Sequence, residues 1–476
     1  MSRPRLFPAL AAAGLGLALS GCAMVGPDYR PPKPDVPDQW AGPAEPGPRD
    51  TAALEHWWER FQDPALDGLI RDALAANTDL ATARANLRES RAQRNLARAG
   101  LGPSVNVSGS AGRSESGSGL PARQNYSTGF DASWEPDVFG GARRGLQAAE
   151  ADLQASGEAL YETRVTLVAE VARNYVELRT AERRLTIAEN NLSAQRELYQ
   201  LTRWRRMAGL VSDLDEAQAL SLLQQTQASL PALRTAVVEA RYRLAILLAK
   251  PPGELKARLK GTGSIPVASG KIAAGIPANT LRQRPDVRAA ERRLAAQTAR
   301  VGQAEAARYP SFNLSGSLGL AALSAGDLFT GDAVNNSLLA GITAPIFDSG
   351  RIRSNIAVQD ARLEKARVAY RAAVLTALQD VENALVEVAN TRQRRTQLGR
   401  AEATARQTLD LARQRYASGL ADFQSVLDSQ RTVLSLQDQL ASSTGDYSTA
   451  VIQLYKALGG GWTPAADASA ANKGSS

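Results

Sequence analysis

Apolar residues recur along this chain with two different periods, and the changes of period mark out its elements. Across residues 141–208 the spacing is seven: Leu146, Leu153, Leu160 and Leu167, then one step of four to Val171, then Leu178, Leu185, Leu192 and Tyr199. Sevens predict a helix packed along a seam. The step of four is a stutter that relaxes left-handed supercoiling, as helices laid side by side in a large cylinder require. No proline lies between Pro136 and Pro231, or between Pro345 and Pro464, so long helices are permitted in both halves. At 1.5 Å per residue the first helix would reach roughly 100 Å, too long for a compact domain, and it is expected to project. Each rod turns back at a glycine, in Gly209-Leu210-Val211-Ser212 and in Gly419-Leu420-Ala421-Asp422. Glycine suits the left-handed residue that closes a helix, and Ser212 and Asp422 can cap helices returning to about Ala249 and Leu458.

The period falls to two in four segments, 103–113, 126–135, 310–320 and 338–347. Val105 and Val107 oppose Ser104, Asn106 and Ser108; Phe312, Leu314, Leu318 and Leu320 oppose Ser311, Asn313, Ser315 and Ser317. Tyr126, Thr128, Phe130, Ala132 and Trp134 oppose Ser127, Gly129, Asp131, Ser133 and Glu135. Such alternation over about ten residues is the pattern of outer-membrane barrel strands; one segment alone would better suit a half-buried soluble sheet, and four of them reverse that preference. Four strands cannot close a barrel, and an open edge in lipid leaves backbone groups unpaired at several kcal/mol each. Copies of the chain must therefore lend strands. Two copies give eight and little lumen; three give twelve, enough for a conduit. The Gly- and Ser-rich connections 114–125 and 321–336 would be the outer loops.

The pattern is written twice. Asp79-Leu80-Ala81-Thr82-Ala83 leads to Leu101-Gly102-Pro103-Ser104-Val105-Asn106-Val107, and 207 residues later Asp286-Val287-Arg288-Ala289-Ala290 leads to Arg308-Tyr309-Pro310-Ser311-Phe312-Asn313-Leu314. A duplicated unit is usually one that needs neighbours to bury its apolar face. The chain divides accordingly. Residues 57–260 form one repeat (strands 103–135, helical hairpin 140–249), 261–284 an irregular linker, and 285–461 a second repeat (strands 310–347, hairpin 350–458). Residues 462–476 form a disordered tail.

Composition excludes several functions. Aromatics are 5 % of 476 residues, and the formal charge of +8 comes from arginines interleaved with Glu and Asp along helical stretches such as 288–308. That is a solvated helix face, without the basic runs and interleaved aromatics of a nucleic-acid binder. The single cysteine, Cys22, cannot form an internal disulfide, and with the single histidine, His56, it cannot supply a usual zinc set; a His-dependent triad could use only His56, in Glu55-His56-Trp57-Trp58-Glu59 with no nucleophile signature near it, so an enzyme is not expected, nor a cofactor. Cys22 instead ends an address: Arg3 and Arg5, an apolar run over 6–19 too short for a normal span, then Leu19-Ser20-Gly21-Cys22, which resembles a bacterial lipoprotein box. Lipid on Cys22 is then expected, with Ala23 directing the protein to the outer membrane, and removal of 1–21 takes away Arg3 and Arg5 and lowers the charge from +8 to +6. Eight prolines over 27–50 make 22–56 a semi-rigid tether.

Four strings then carry a specific resemblance: Met24-Val25-Gly26-Pro27-Asp28-Tyr29-Arg30-Pro31-Pro32, Trp57-Trp58-Glu59-Arg60-Phe61-Gln62-Asp63-Pro64-Ala65-Leu66, Arg284-Pro285-Asp286-Val287 and Val426-Leu427-Asp428-Ser429-Gln430-Arg431. In this order, over nearly the whole mature chain, they resemble the signatures of the outer-membrane efflux lipoproteins, the OprM-like branch of the TolC family. The resemblance implies a mainly α fold with a membrane β-barrel, both a twelve-stranded barrel and a twelve-helix periplasmic tunnel being completed by a homotrimer. It implies an outer-membrane channel docked to a periplasmic adaptor (a membrane fusion protein) and an inner-membrane pump of the resistance-nodulation-division type, exporting small toxic compounds. It places Gly209 and Gly419 at the periplasmic tip and matches Asp428 and Arg431 to a gating acid and base able to pair between subunits, with Gln424 and Tyr416 beside them. An exit duct for a type I-like secretion system is the alternative. A periplasmic adaptor lipoprotein is a further one, but it needs a single helical hairpin and water-soluble β domains.

Overall fold

The computed structural model describes residues 24–33, 36–43, 54–115, 122–259, 263–269 and 277–462. The expected signal segment 1–21, the lipidation site Cys22 and residues 463–476 lie outside the described residues. The chain divides into two compact units. Residues 1–33, 85–157 and 289–372 form the first; residues 34–84, 158–288 and 373–476 form the second.

After a 3₁₀ turn over Trp57–Phe61 the helices are α1 (Pro64–Ala76) and α2 (Thr78–Ala99). Strands β1 (Ser104–Ser114) and β2 (Arg123–Trp134) follow, then the hairpin α3 (Gly141–Met207) and α4 (Asp213–Leu247). Two short helices, α5 (Leu255–Arg258) and α6 (Pro277–Gln283), precede α7 (Pro285–Ala306). The second repeat continues with β3 (Ser311–Ala322), β4 (Val334–Thr343), α8 (Arg351–Ala417) and α9 (Phe423–Ala457). Hairpin lengths agree between the repeats, with 67 and 35 residues in each. Helix α4 runs through Pro231, whose missing N–H removes one bond of the ladder without ending the helix.

The first unit holds the sheet, antiparallel in the order β1-β2-β3-β4. The second unit holds the apolar core. There Leu167, Val171, Tyr175 and Leu178 of α3 meet Leu244 of α4, Val381 of α8 and Val451 and Leu454 of α9, with Trp57, Leu66 and Leu69 packed among them. The core begins where the stripe of sevens steps by four, at Leu167 and Val171. Burying each such side chain contributes about 1.5–3 kcal/mol.

Four expectations need correction. Strand β4 starts at Val334 and stops at Thr343 rather than spanning 338–347, because Pro345 has no N–H to offer a ladder. The linker 261–284 is not wholly irregular: α6 opens on Pro277, favoured at a first helical position, and buries Thr280 and Leu281. The tail does not begin at residue 462, since Trp462 is buried against Tyr161, ring centroids 4.4 Å apart, with the Arg288 guanidinium 5.4 Å from its ring centroid. An indole gains far more from burial than the small polar residues after it. Within the expected semi-rigid tether 22–56, the described residues 24–29 and 41–42 do not hang free, as their contacts below make clear.

Candidate functional site

The sheet sorts its side chains by chemistry. Register places Val107 opposite Phe130, Phe130 opposite Leu318, and Leu318 opposite Asn336; Trp134 opposes Leu314, and Phe312 opposes Ile342. Residues on that face are largely apolar, and many are bare in the single chain: Val105, Val107, Phe130, Leu318, Leu338 and Ile342 are all more than half exposed. The opposite face is hydroxyl and amide. Ser104 bonds Ser133, Ser110 bonds Ser127 and Ser317 bonds Ser337 across the strands, and the Ser108 hydroxyl donates to Asp131. Leu339 and Ala321 are the apolar side chains on that polar face. Strands β1 and β4 each have a neighbour on one side only. A bare apolar face, a wetted polar face and two open edges make a wall segment awaiting continuation. Among the described residues no helix is long and apolar enough to cross a membrane.

The hairpin tips are built by paired caps. Gly209 and Gly419 sit at φ +72° and +71°, left-handed conformations that an L side chain resists. In each turn two amides close the helix end: Leu210 N–H to Arg205 O and Gly209 N–H to Arg206 O, both 2.8 Å, then Leu420 N–H to Arg415 O at 2.8 Å and Gly419 N–H to Tyr416 O at 3.1 Å. These are Schellman motifs. The returning helices open on Ser212, which forms a reciprocal capping box with Asp215, and on Asp422, which accepts from Ser425 N–H at 2.9 Å. The Ser425 hydroxyl and amide hold the Asp422 carboxyl below the usual carboxylate range.

Beside the second tip, the Asp428 carboxylate is bracketed within one helix. Gln424 Nε2 donates to its two oxygens at 3.0 and 3.1 Å, and Arg431 Nη1 approaches at 3.4 Å. Both members of the ion pair are about half exposed. The resemblance matched Asp428 and Arg431 to a gating pair able to bridge subunits; within one chain they face each other as an i, i+3 pair. Tyr416 does not join this cluster. Its ring leans on Phe423, centroids 5.4 Å apart, beneath the Arg205 guanidinium at 4.9 Å. Gln424, Asp428 and Arg431 form one polar face, and Tyr416 belongs to the apolar contact at the neck of the turn.

Two clasps escaped the reading of the sequence. Arg144, buried at the start of α3, donates to Val25 O (3.0 Å), Gly26 O (3.1 Å) and Asp28 (2.9 Å), pinning the segment that contains the Met24–Pro32 string. Gly26, at φ +86°, lies so close that a Cβ would fall 2.3 Å from Gly302 Cα. Tyr29 donates to Glu291, and in the second unit the amides of Ala41 and Gly42 both donate to Glu382 at 2.7 Å. Arg284 is the second clasp: it pairs with Asp286 (2.6 Å) and Asp380 (2.9 Å) and donates to Ala457 O (3.0 Å), joining the start of α7 to α8 and α9. Asp63 does similar work, capping α1 while accepting from the Tyr175 hydroxyl at 2.8 Å; burial pushes that phenol up to about 12. Asp28, Asp63 and Arg284 lie in the quoted strings, but their partners Arg144 and Tyr175 carry no local mark.

The family model described as "Outer membrane efflux protein" matches residues 69–250 and 276–460. Nodulation protein T of Rhizobium leguminosarum bv. viciae is 32% identical over 95% of this chain and 93% of its own length. The pyoverdine export outer membrane protein OpmQ of Pseudomonas aeruginosa is 33% identical over 93% of this chain and 96% of that protein. Among solved structures the outer-membrane channel OprN superposes with TM-score 0.85 at 35% identity, covering 92% of this chain and all of that one.

Proposed function

This chain belongs to the outer membrane efflux protein family, and on that footing we propose that three copies join into one outer-membrane conduit. The single observation that carries the reading is the unclosed sheet: one apolar face, one polar face and two unpaired edges. Twelve strands from three copies would remove every edge while turning the hydroxyl-rich face to a water-filled lumen. The helical hairpins then supply a periplasmic tunnel. Transport through such a duct is passive, energised by an inner-membrane transporter of the resistance-nodulation-division type to which a periplasmic adaptor couples it. A lipid chain on Cys22 adds an anchor to the outer membrane.

The cargo class is small toxic or secreted compounds; export of pyoverdine is the property of a relative, OpmQ, and illustrates the range. At the tip, the Asp428–Arg431 pair is worth only tenths of a kcal/mol at its exposure. A pair that weak is readily exchanged for a neighbour's, which suits a gate made of Gln424, Asp428 and Arg431 in three-fold repetition. Purified protein in planar bilayers tests the conduit. Discrete conductance steps from a cross-linkable trimer are expected, and a monomer that conducts nothing would refute it.

A further inference from the structure

A groove of about 830 Å³ runs between α3, α4 and α9 in the second unit, beside the residues of the candidate gate. That volume lies in the range of sites for drug-sized ligands. Ile187 and Leu222, both buried, line its depth, and Leu233 and Leu434 are partly exposed along it. Among the described residues, three charged ones line it: Arg184, Asp438 and Arg431. Arg184 holds both oxygens of Asp438 in a bidentate pair, Nε at 2.7 Å and Nη2 at 3.0 Å, so these two charges cancel. Arg431 is left as the surplus cation of the lining. On α9, Arg431, Ser435 and Asp438 recur at helical spacing and continue the face of Gln424 and Asp428. The groove therefore opens on the side of the helix that carries the candidate gate, and extends about 10 Å away from the tip.

We propose that this groove is a transit site for amphipathic organic anions, compounds with an apolar body and a single sulfonate or carboxylate, and that the bound acid takes Arg431 from Asp428. The inference rests on the conduit proposed above and narrows its cargo class. Complementarity selects this occupant: the apolar lining takes a ring system, and the surplus charge beside it is positive. A cation would meet two guanidiniums and a carboxylate already engaged twice. The exchange strands no charge. Gln424 keeps its bonds of 3.0 and 3.1 Å to Asp428 when Arg431 turns away, and both members of the 3.4 Å pair are about half exposed. Occupancy of the groove and pairing at the gate thus compete for one guanidinium, and each weakens the other by the same factor.

Two dyes that differ by one charge read this site: anilinonaphthalene sulfonate and its uncharged parent, phenylnaphthylamine. Both brighten in apolar surroundings, and both are titrated onto full-length protein in lipid nanodiscs, with empty nanodiscs subtracted. Ala232→Trp, which fills the groove from an exposed position of α4, should abolish saturable binding of both dyes. Arg431→Gln should weaken the sulfonate about fivefold and leave the neutral dye unchanged. Asp428→Asn, which removes the competing acid, should tighten the sulfonate about twofold and again leave the neutral dye unchanged. A purely structural role for Arg431 would shift both dyes alike. Equal effects of Arg431→Gln on the two dyes, or sulfonate binding that survives Ala232→Trp, overturns the anion site. Unchanged sulfonate affinity in Asp428→Asn overturns the competition for Arg431. Failure of the conduit reading shows separately, as a monomer by native mass whose dye binding still follows this pattern.

Discussion

Removing the guanidinium of Arg144 should free the N-terminal strap without unfolding the helices behind it. Arg144→Met keeps the aliphatic bulk of a side chain that is only 3% exposed, and deletes the donors to Val25 O, Gly26 O and Asp28. The Asp28 carboxylate is 80% exposed on its side, so that ion pair adds little. The two carbonyl bonds carry a charged donor and contribute about 1.5 kcal/mol each at the lower end of such bonds, because the carbonyls regain water once the strap lifts. Their sum, about 3 kcal/mol, corresponds to roughly a hundredfold increase in the open fraction. The probe is the Val25 amide, which donates to Phe139 O at 3.2 Å and exchanges only when the strap is off. Hydrogen exchange at that amide should accelerate about a hundredfold, with amides in the middle of α3 unchanged. Unchanged exchange at Val25 would refute the assignment of Arg144 as the clasp; equal acceleration throughout α3 would show that its role is global.

Other consequences follow from the caps, the close contacts and the gate. Gly209→Ala and Gly419→Ala should each destabilise their turn by about 1–2 kcal/mol, since a Cβ meets nothing within 4 Å and the loss is purely conformational; exchange at the Leu210 and Leu420 amides measures it. Gly445→Val should overpack the α3–α9 contact by about 1–3 kcal/mol, because a Cβ there already falls 2.3 Å from Thr180 Oγ1; thermal unfolding in detergent would show it. The Asp422 cap has a folded-state pKa below its unfolded one. Its contribution is therefore present above the unfolded value near 4 and lost only as pH falls through the folded one, so fraying at Ser425 should appear in acid and not at neutral pH. Asp428→Asn should raise single-channel conductance and weaken cation preference, and an unaltered trace would dismiss the gate while leaving the conduit intact.

Elements set by their own sequence were legible; those set by contacts distant in sequence were not. Alternation fixed which strand residues share a face, because a period of two leaves no freedom once one face must be apolar. Gly209, Gly419, Ser212 and Asp422 announced the turns, since capping chemistry acts within a few residues. The strap is the contrary case. Its prolines argue against helix, and the described residues 24–33 and 36–43 form none, yet composition cannot reveal that Arg144, 119 residues beyond Val25, supplies donors to its carbonyls. Trp462 failed for the same reason, its burial depending on Tyr161 and Arg288 rather than on the Gly-rich run before it.

The candidate gate residues show how far a sequence string reaches. Asp428 and Arg431 stand three apart on one helix, so they were bound to meet within the chain, and they do at 3.4 Å. Tyr416 stands only seven residues before Phe423, but the turn at Gly419 folds its ring onto Phe423 and under Arg205, away from the carboxylate. The local pair and an intersubunit bridge use the same donors and acceptor, so they compete. Half-exposed charges separated by a few ångströms favour neither by more than about 1 kcal/mol. In the proposed trimer a closed tip would need many such weak exchanges acting together, and replacing Gln424 by leucine isolates one of them. With its amide gone, Asp428 loses the bonds at 3.0 and 3.1 Å that hold it to its own helix. It should turn more readily to a neighbouring subunit, lowering conductance. Higher conductance in Gln424→Leu would mean that the amide itself, rather than the acid it restrains, closes the tip.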